Sequence, residues 1–199
     1  MIKGVLFDLD GVLVDAVKLH QKAFIEAVKP YKEITEEYHM QYLNGIPTKK
    51  KLEKLGFYTD LIEKINSEKQ EITFKLIQEM IKPVPEVLEV VDKIKEMQIP
   101  FAVCSNSIRK STELLLFHGG VNDFEFIISN QEVINPKPDP EMYIKAIERL
   151  KLDKSEVLIV EDSPVGLEAA NKSGANVCQI KDPYDIKKVL DELKRYNEE

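Results

Sequence analysis

The 199-residue chain contains no tryptophan and only two cysteines. Cys104 and Cys178 fall inside apolar runs, Phe101–Cys104 and Val177–Ile180, and read as reduced, buried thiols of a cytosolic protein. Eight glycines and ten prolines are scattered along the chain, which excludes collagen-like and low-complexity organisation. No apolar run approaches the roughly 18 residues of a membrane span. The apolar start, Met1 to Phe7, is too short for a secretory signal core, so a cytoplasmic location is expected. Positive charge is also in deficit. A net charge of −7 argues against general affinity for nucleic acid or an anionic membrane. With 43% hydrophobic residues the chain is too apolar to be disordered.

Short apolar runs ending in polar residues recur along the chain. They are Ile2–Phe7 before Asp8, Phe101–Cys104 before Ser105, and Val157–Val160 before Glu161-Asp162, with weaker runs at 126–128 and 176–180. Near-continuous apolar runs of this length suit strands buried on both faces. Helix-period segments alternate with them, such as the stripe Val87, Leu88, Val91, Ile94 and Met97. The alternation predicts an α/β fold with a doubly wound, mainly parallel sheet of five or six strands. Residues 16–82 break the pattern. They hold only helical segments, expected at 18–29, 36–43, 48–55 and 60–82, and read as an inserted helical cap. The remainder, 1–15 and 83–199, forms the expected core.

Four polar clusters fall at the ends of predicted strands, where open α/β sheets bind ligands. In Asp8-Leu9-Asp10-Gly11 the carboxylates lie two residues apart and can face one site, although D-x-D-G also suits a turn or part of a calcium loop. Ser105 and Asn106 offer a hydroxyl and amides for an anion, or alternatively a helix cap. Lys137 sits between Pro136 and Pro138, followed by Asp139-Pro140 as a helix start with proline at its first position. Glu161 and Asp162 suit a hard cation such as Mg²⁺, or a cap beside a surface charge.

In this order the four clusters resemble the motifs of the haloacid dehalogenase-like superfamily. Val12 to Asp15 followed by His20, residues 135–140 and residues 161–166 are similar to the branch holding β-phosphoglucomutase and many small-molecule phosphatases. That resemblance implies an enzyme acting on a small phosphorylated metabolite, a sugar or polyol phosphate. Asp8 would be the nucleophile that forms an aspartyl-phosphate, and Asp10 the general acid and base. Mg²⁺ would be held by Asp8, the Asp10 backbone carbonyl, Asp162 and Glu161, directly or through water. Lys137 would add fixed positive charge, with Ser105 and Asn106 completing a phosphate cradle and Gly11 in the same substrate-binding set.

In the cap, the resemblance places His20 between cap and core and matches Lys69 to a cap lysine. Thr48 stands where the mutase carries an arginine on the sugar's distal phosphate, which favours a phosphatase over the alternative, a phosphosugar mutase. Lys49, Lys50 and Lys51 could compensate in part, with at least two of them expected on a solvated helix face. His39 and His118 carry no functional expectation. A phospho-accepting signalling receiver is a third reading, disfavoured by an acceptor on the first strand and a helical insert after it. A regulatory protein that kept the fold without turnover is disfavoured by the intact Asp8, Asp10, Lys137 and Asp162. A monomer is expected, because no heptad pattern appears.

Overall fold

The computed structural model describes residues 1–198. Five strands, β1 (Gly4–Phe7), β2 (Phe101–Cys104), β3 (Ile127–Ile128), β4 (Val157–Glu161) and β5 (Asn176–Gln179), form one sheet in the order β3-β2-β1-β4-β5. Every pairing is parallel. β1, β2 and β4 are fully buried, as their continuous apolar sequences require. Of the weak strand expected at 126–128, only Ile127 and Ile128 join the ladder, while the Phe126 carbonyl accepts from the Val103 amide at 3.0 Å.

Register aligns the strand ends. Phe7 pairs with both Val103 and Val160, so the residues that follow, Asp8, Cys104-Ser105 and Glu161, emerge side by side. The expected loop chemistry therefore converges at one edge of the sheet.

Helices α1 (Val17–Val28), α2 (Glu36–Tyr42), α3 (Thr48–Lys54) and α4 (Thr59–Met80) fill the insert after β1. They enclose an apolar cluster that includes Phe24, Val28, Leu43, Leu52 and Ile65, separate from the two clusters lying on the faces of the sheet. Helix α4 ends at Met80, two residues short of the expected end, because backbone turns extended at Ile81 ahead of Pro83.

Helices α5 (Pro85–Glu96), α6 (Arg109–Gly119), α7 (Glu141–Leu150), α8 (Pro164–Ser173) and α9 (Lys188–Glu198) complete the layers. α5 buries Val87, Val90, Val91 and Ile94. Met97, expected on that stripe, sits instead at the helix end and is 44% exposed. No helix among the described residues is long and apolar enough to cross a membrane.

Candidate active site

The turn after β1 is short and tightly bonded. The Leu9 carbonyl accepts from the Leu13 and Val14 amides, and the Gly11 amide donates to the Val14 carbonyl at 2.8 Å. Gly11 has φ +92°, a conformation that side chains resist, and a Cβ there would collide with the Asp162 carboxylate. Gly11 thus serves backbone geometry and lies outside the main cavity lining. The turn presents Asp8 and Asp10 to a cavity of about 620 Å³ between the sheet edge and helices α1–α4.

Lys137 Nζ lies at the base of this cavity. It donates to Asp8 Oδ1 at 2.6 Å, Glu161 Oε1 at 2.7 Å and the Cys104 carbonyl at 2.9 Å. Burial opposes its charge, but the Asp8 and Glu161 carboxylates outweigh burial and hold the ammonium above its usual range. The proline-flanked loop around it is clamped by Asn106. Asn106 Oδ1 accepts from the Lys137 amide at 3.1 Å, and its Nδ2 donates to the Lys137 carbonyl at 3.3 Å. Helix α7 begins at Glu141, one residue later than expected, with Asp139 Oδ1 accepting from the Glu141 amide.

Glu161 is fully buried, and both of its oxygens are bonded. Oε1 also accepts from the Tyr143 hydroxyl at 2.5 Å, and Oε2 accepts from the Asp162 amide and Ser163 hydroxyl. The cap of α8 is therefore Ser163, whose oxygen accepts from the Gly166 amide, and not the acidic pair. A Cβ at Gly166 would overlap the Glu161 carboxylate, so that helix approaches closely only without a side chain.

Asp8, Glu161 and Asp162 each bring one carboxylate oxygen within 4.8 Å of the others. Burial, partly opposed by Lys137, pushes Asp8 well above the usual carboxylate range, and the neighbouring acids add to it. Burial and repulsion from Glu161 and Asp10 push Asp162 up to about 7. Asp162 Oδ1 is buried without a hydrogen-bond partner. Crowded oxygen donors facing a single lysine, with one oxygen unspent, fit a hard divalent cation.

Asp10 sits in a contrasting environment. His20 Nε2 lies 3.0 Å from Oδ1, and the Ser107 hydroxyl donates to Oδ2 at 3.1 Å. Burial would raise its pKa, yet His20, Ser107 and Lys69 together bring it below the usual value. Burial, reinforced by Lys69, lowers His20, and Lys69 Nζ lies 3.4 Å from His20 Nδ1. A neutral ring that accepts from Lys69 and donates to Asp10 satisfies both contacts.

Of the expected residues, Asp8, Asp10, His20, Thr48, Lys69, Asn106, Lys137 and Asp162 line the cavity together. Ser105 and Glu161 are buried behind its wall. Ser105 Oγ accepts from the Ser107 amide at 3.0 Å, and helix α6 starts only at Arg109, so Ser105 and Asn106 do not cap it. Lys49 and Lys50 are exposed as expected, whereas Lys51 is buried. Sequence reasoning missed Ser107, Tyr143 and Gly166. The signal for Ser107 was a second hydroxyl two residues after Ser105; for Tyr143 it was a hydroxyl on an otherwise apolar helix face.

Known proteins resemble this chain over most of its length. A phosphorylated-carbohydrate phosphatase of Thermotoga maritima is 29% identical over 178 residues, covering 87% of this chain and 82% of its own. A fructose-1-phosphate phosphatase of Escherichia coli is 26% identical, covering 89% and 96%. The crystal structure of CbbY from Rhodobacter sphaeroides in complex with phosphate superposes with a TM-score of 0.81 at 25% identity, covering 90% of this chain and 86% of that one. Residues 5–180 match the family of haloacid dehalogenase-like hydrolases, and the chain belongs to that family.

Proposed function

We propose that this hydrolase removes phosphate from a small phosphorylated carbohydrate through an aspartyl-phosphate on Asp8. The family and the phosphatase relatives make it a phosphoric monoester hydrolase. The observation that carries the residue roles is the contrast between two acids two residues apart. Asp8 is bonded to Lys137, while Asp10 is bonded to His20 and Ser107. Opposed environments give the two carboxyl groups different work. The Lys137 ammonium, joined by a bound cation, must hold Asp8 ionised for attack, because burial alone raises it. Asp10, on a histidine and a hydroxyl, is placed for proton transfer.

Asp8 Oδ attacks phosphorus as the ester P–O bond breaks, and Asp10 donates a proton to the departing alkoxide. Asp10 rests as a carboxylate in the free protein. The charge of an incoming phosphoryl group opposes that ionisation and favours the protonated acid. Once ionised again, Asp10 takes a proton from the water that attacks the aspartyl-phosphate, releasing phosphate and restoring Asp8. Lys137, its three donors given to Asp8, Glu161 and the Cys104 carbonyl, supplies fixed positive charge beside the phosphoryl group, and the amides around Asn106 face its oxygens.

Asp8, Asp162 and the Asp10 backbone carbonyl would hold Mg²⁺, which when bound would supply positive charge against the phosphoryl oxygens and keep Asp8 and Asp162 ionised. Glu161, its oxygens already bonded, would reach that ion through water. Residues 1–15 and 83–199 act as the catalytic core and 16–82 as its cap, a division supported by the separate apolar cluster of the insert.

Replacing Asp8 by Asn tests the reading. Phosphate release from sugar phosphates in Mg²⁺ is expected to vanish while the melting temperature stays that of a folded protein. Retained turnover removes Asp8 as nucleophile.

A further inference from the structure

Of the asparagines along the chain, only Asn44 is followed by glycine. The pair lies in the connection between α2 and α3, outside both helices. Asn44 is exposed, and among the described residues neither its side chain nor the Gly45 amide makes a hydrogen bond. Gly45 has φ +77° and no Cβ, so no side chain of its own shields its nitrogen. Both residues line the cavity that holds Asp8. Asn44 also lines a second cavity, of about 550 Å³, that shares Asp162 with the first.

Every other asparagine is restrained. A side-chain hydrogen bond holds each of them except Asn66, where helix α4 fixes the amide that follows. Asn106 shows the contrast inside the same cavity, with both ends of its carboxamide bonded to the Lys137 backbone. Asn44 alone combines a free carboxamide with a following amide that is neither crowded nor bonded.

We propose that Asn44-Gly45 is a modification site, at which the Asn44 carboxamide is converted to a carboxylate on the cavity wall. The Gly45 nitrogen bonds to Asn44 Cγ, the Cγ–Nδ2 bond breaks, and ammonia leaves with the proton that the nitrogen gave up. Water then opens the cyclic imide at either carbonyl, leaving a normal or a β-linked aspartate at position 44. Either product adds negative charge to a wall that faces the phosphoryl group, and like charges repel. The β-linkage also inserts a methylene into the backbone just ahead of α3. Phosphate binding therefore weakens as the protein ages. That consequence rests on the phosphatase reading, whereas the modification itself does not.

Ageing the protein in mildly alkaline buffer tests the inference. Peptide mapping by mass spectrometry is expected to show the amide-to-acid mass gain at Asn44 ahead of every other asparagine, with both linkages present. Asn44→Gln, which would have to close a larger ring, is expected to keep its mass. Inorganic phosphate, titrated by calorimetry in Mg²⁺, is expected to bind the aged protein and Asn44→Asp about threefold or more weakly than the fresh protein, with the gap closing in high salt. An Asn44 that stays intact, or another asparagine converted before it, overturns the site. Unchanged phosphate affinity in Asn44→Asp overturns the consequence. If phosphate binds none of these proteins, the hydrolytic reading and the consequence fall together, while the masses still decide the site.

Discussion

The Tyr143 hydroxyl lies 2.5 Å from Glu161 Oε1, the same oxygen that accepts from Lys137 Nζ at 2.7 Å. Tyr143 is fully buried on α7, and the Lys137 ammonium sits 4.7 Å from the centre of its ring. One aromatic side chain thus supports both the cation at the base of the cavity and that cation's buried counter-charge. Burial, followed by the Glu161 and Asp8 charges, pushes the phenol well above its ordinary pKa, which keeps it a donor.

Tyr143→Phe keeps the ring and removes the donor. A hydrogen bond to a charged group contributes about 1.5–3 kcal/mol, and each kcal/mol corresponds to about 2–4 °C in a chain of this size. Urea unfolding and thermal melting are expected to show that loss. An unchanged midpoint would mean that the hydroxyl is not engaged by Glu161.

The metal reading gives a second expectation. The unpartnered Asp162 Oδ1 and the crowding of Asp8, Glu161 and Asp162 imply that Mg²⁺ stabilises the folded protein. At a hundred times its dissociation constant a ligand adds about 2.7 kcal/mol, or roughly 5–11 °C here. Melting in Mg²⁺ against melting in chelator should show this shift, and Asp162→Asn should remove most of it. Because Asp162 is raised to about 7, the shift should shrink as pH falls below that value and the carboxyl takes up a proton. Undiminished phosphate release in chelator would sink the cation's role.

Much of this site was legible because parallel strands of matched register turn sequence motifs into neighbours. Asp8, Ser105 and Glu161 each follow a buried apolar run, and the pairing of Phe7 with Val103 and Val160 places those run ends together. Side-chain direction was not legible. Lys49, Lys50 and Lys51 are indistinguishable as a run, yet the helical turn exposes two and buries the third against His39. Tyr143 gave no sign of its role in sequence, since that role depends on Glu161, 18 residues away. Met97 failed for a local reason: the helix ends there, so the 3.6-residue period no longer governs where its side chain points.

Lys51 supplies the last expectation, in stability against pH. Burial, then repulsion from Lys69, lowers its pKa from 10.5 to about 7 in the folded protein. Between those values the unfolded chain binds more protons than the folded one, so stability rises with pH across that window. The cost of burying the charge is fully present below about pH 7 and gone above 10.5. Lys51→Met should be more stable than the unmodified protein at pH 7, on the order of a few kcal/mol, with the difference fading toward pH 10.5. A smaller rise should persist in the variant from Lys69, which burial lowers to about 8. The measurement is urea unfolding at several pH values for both proteins. A variant less stable at pH 7, or a gap independent of pH, would show that the Lys51 ammonium is already compensated in the free protein.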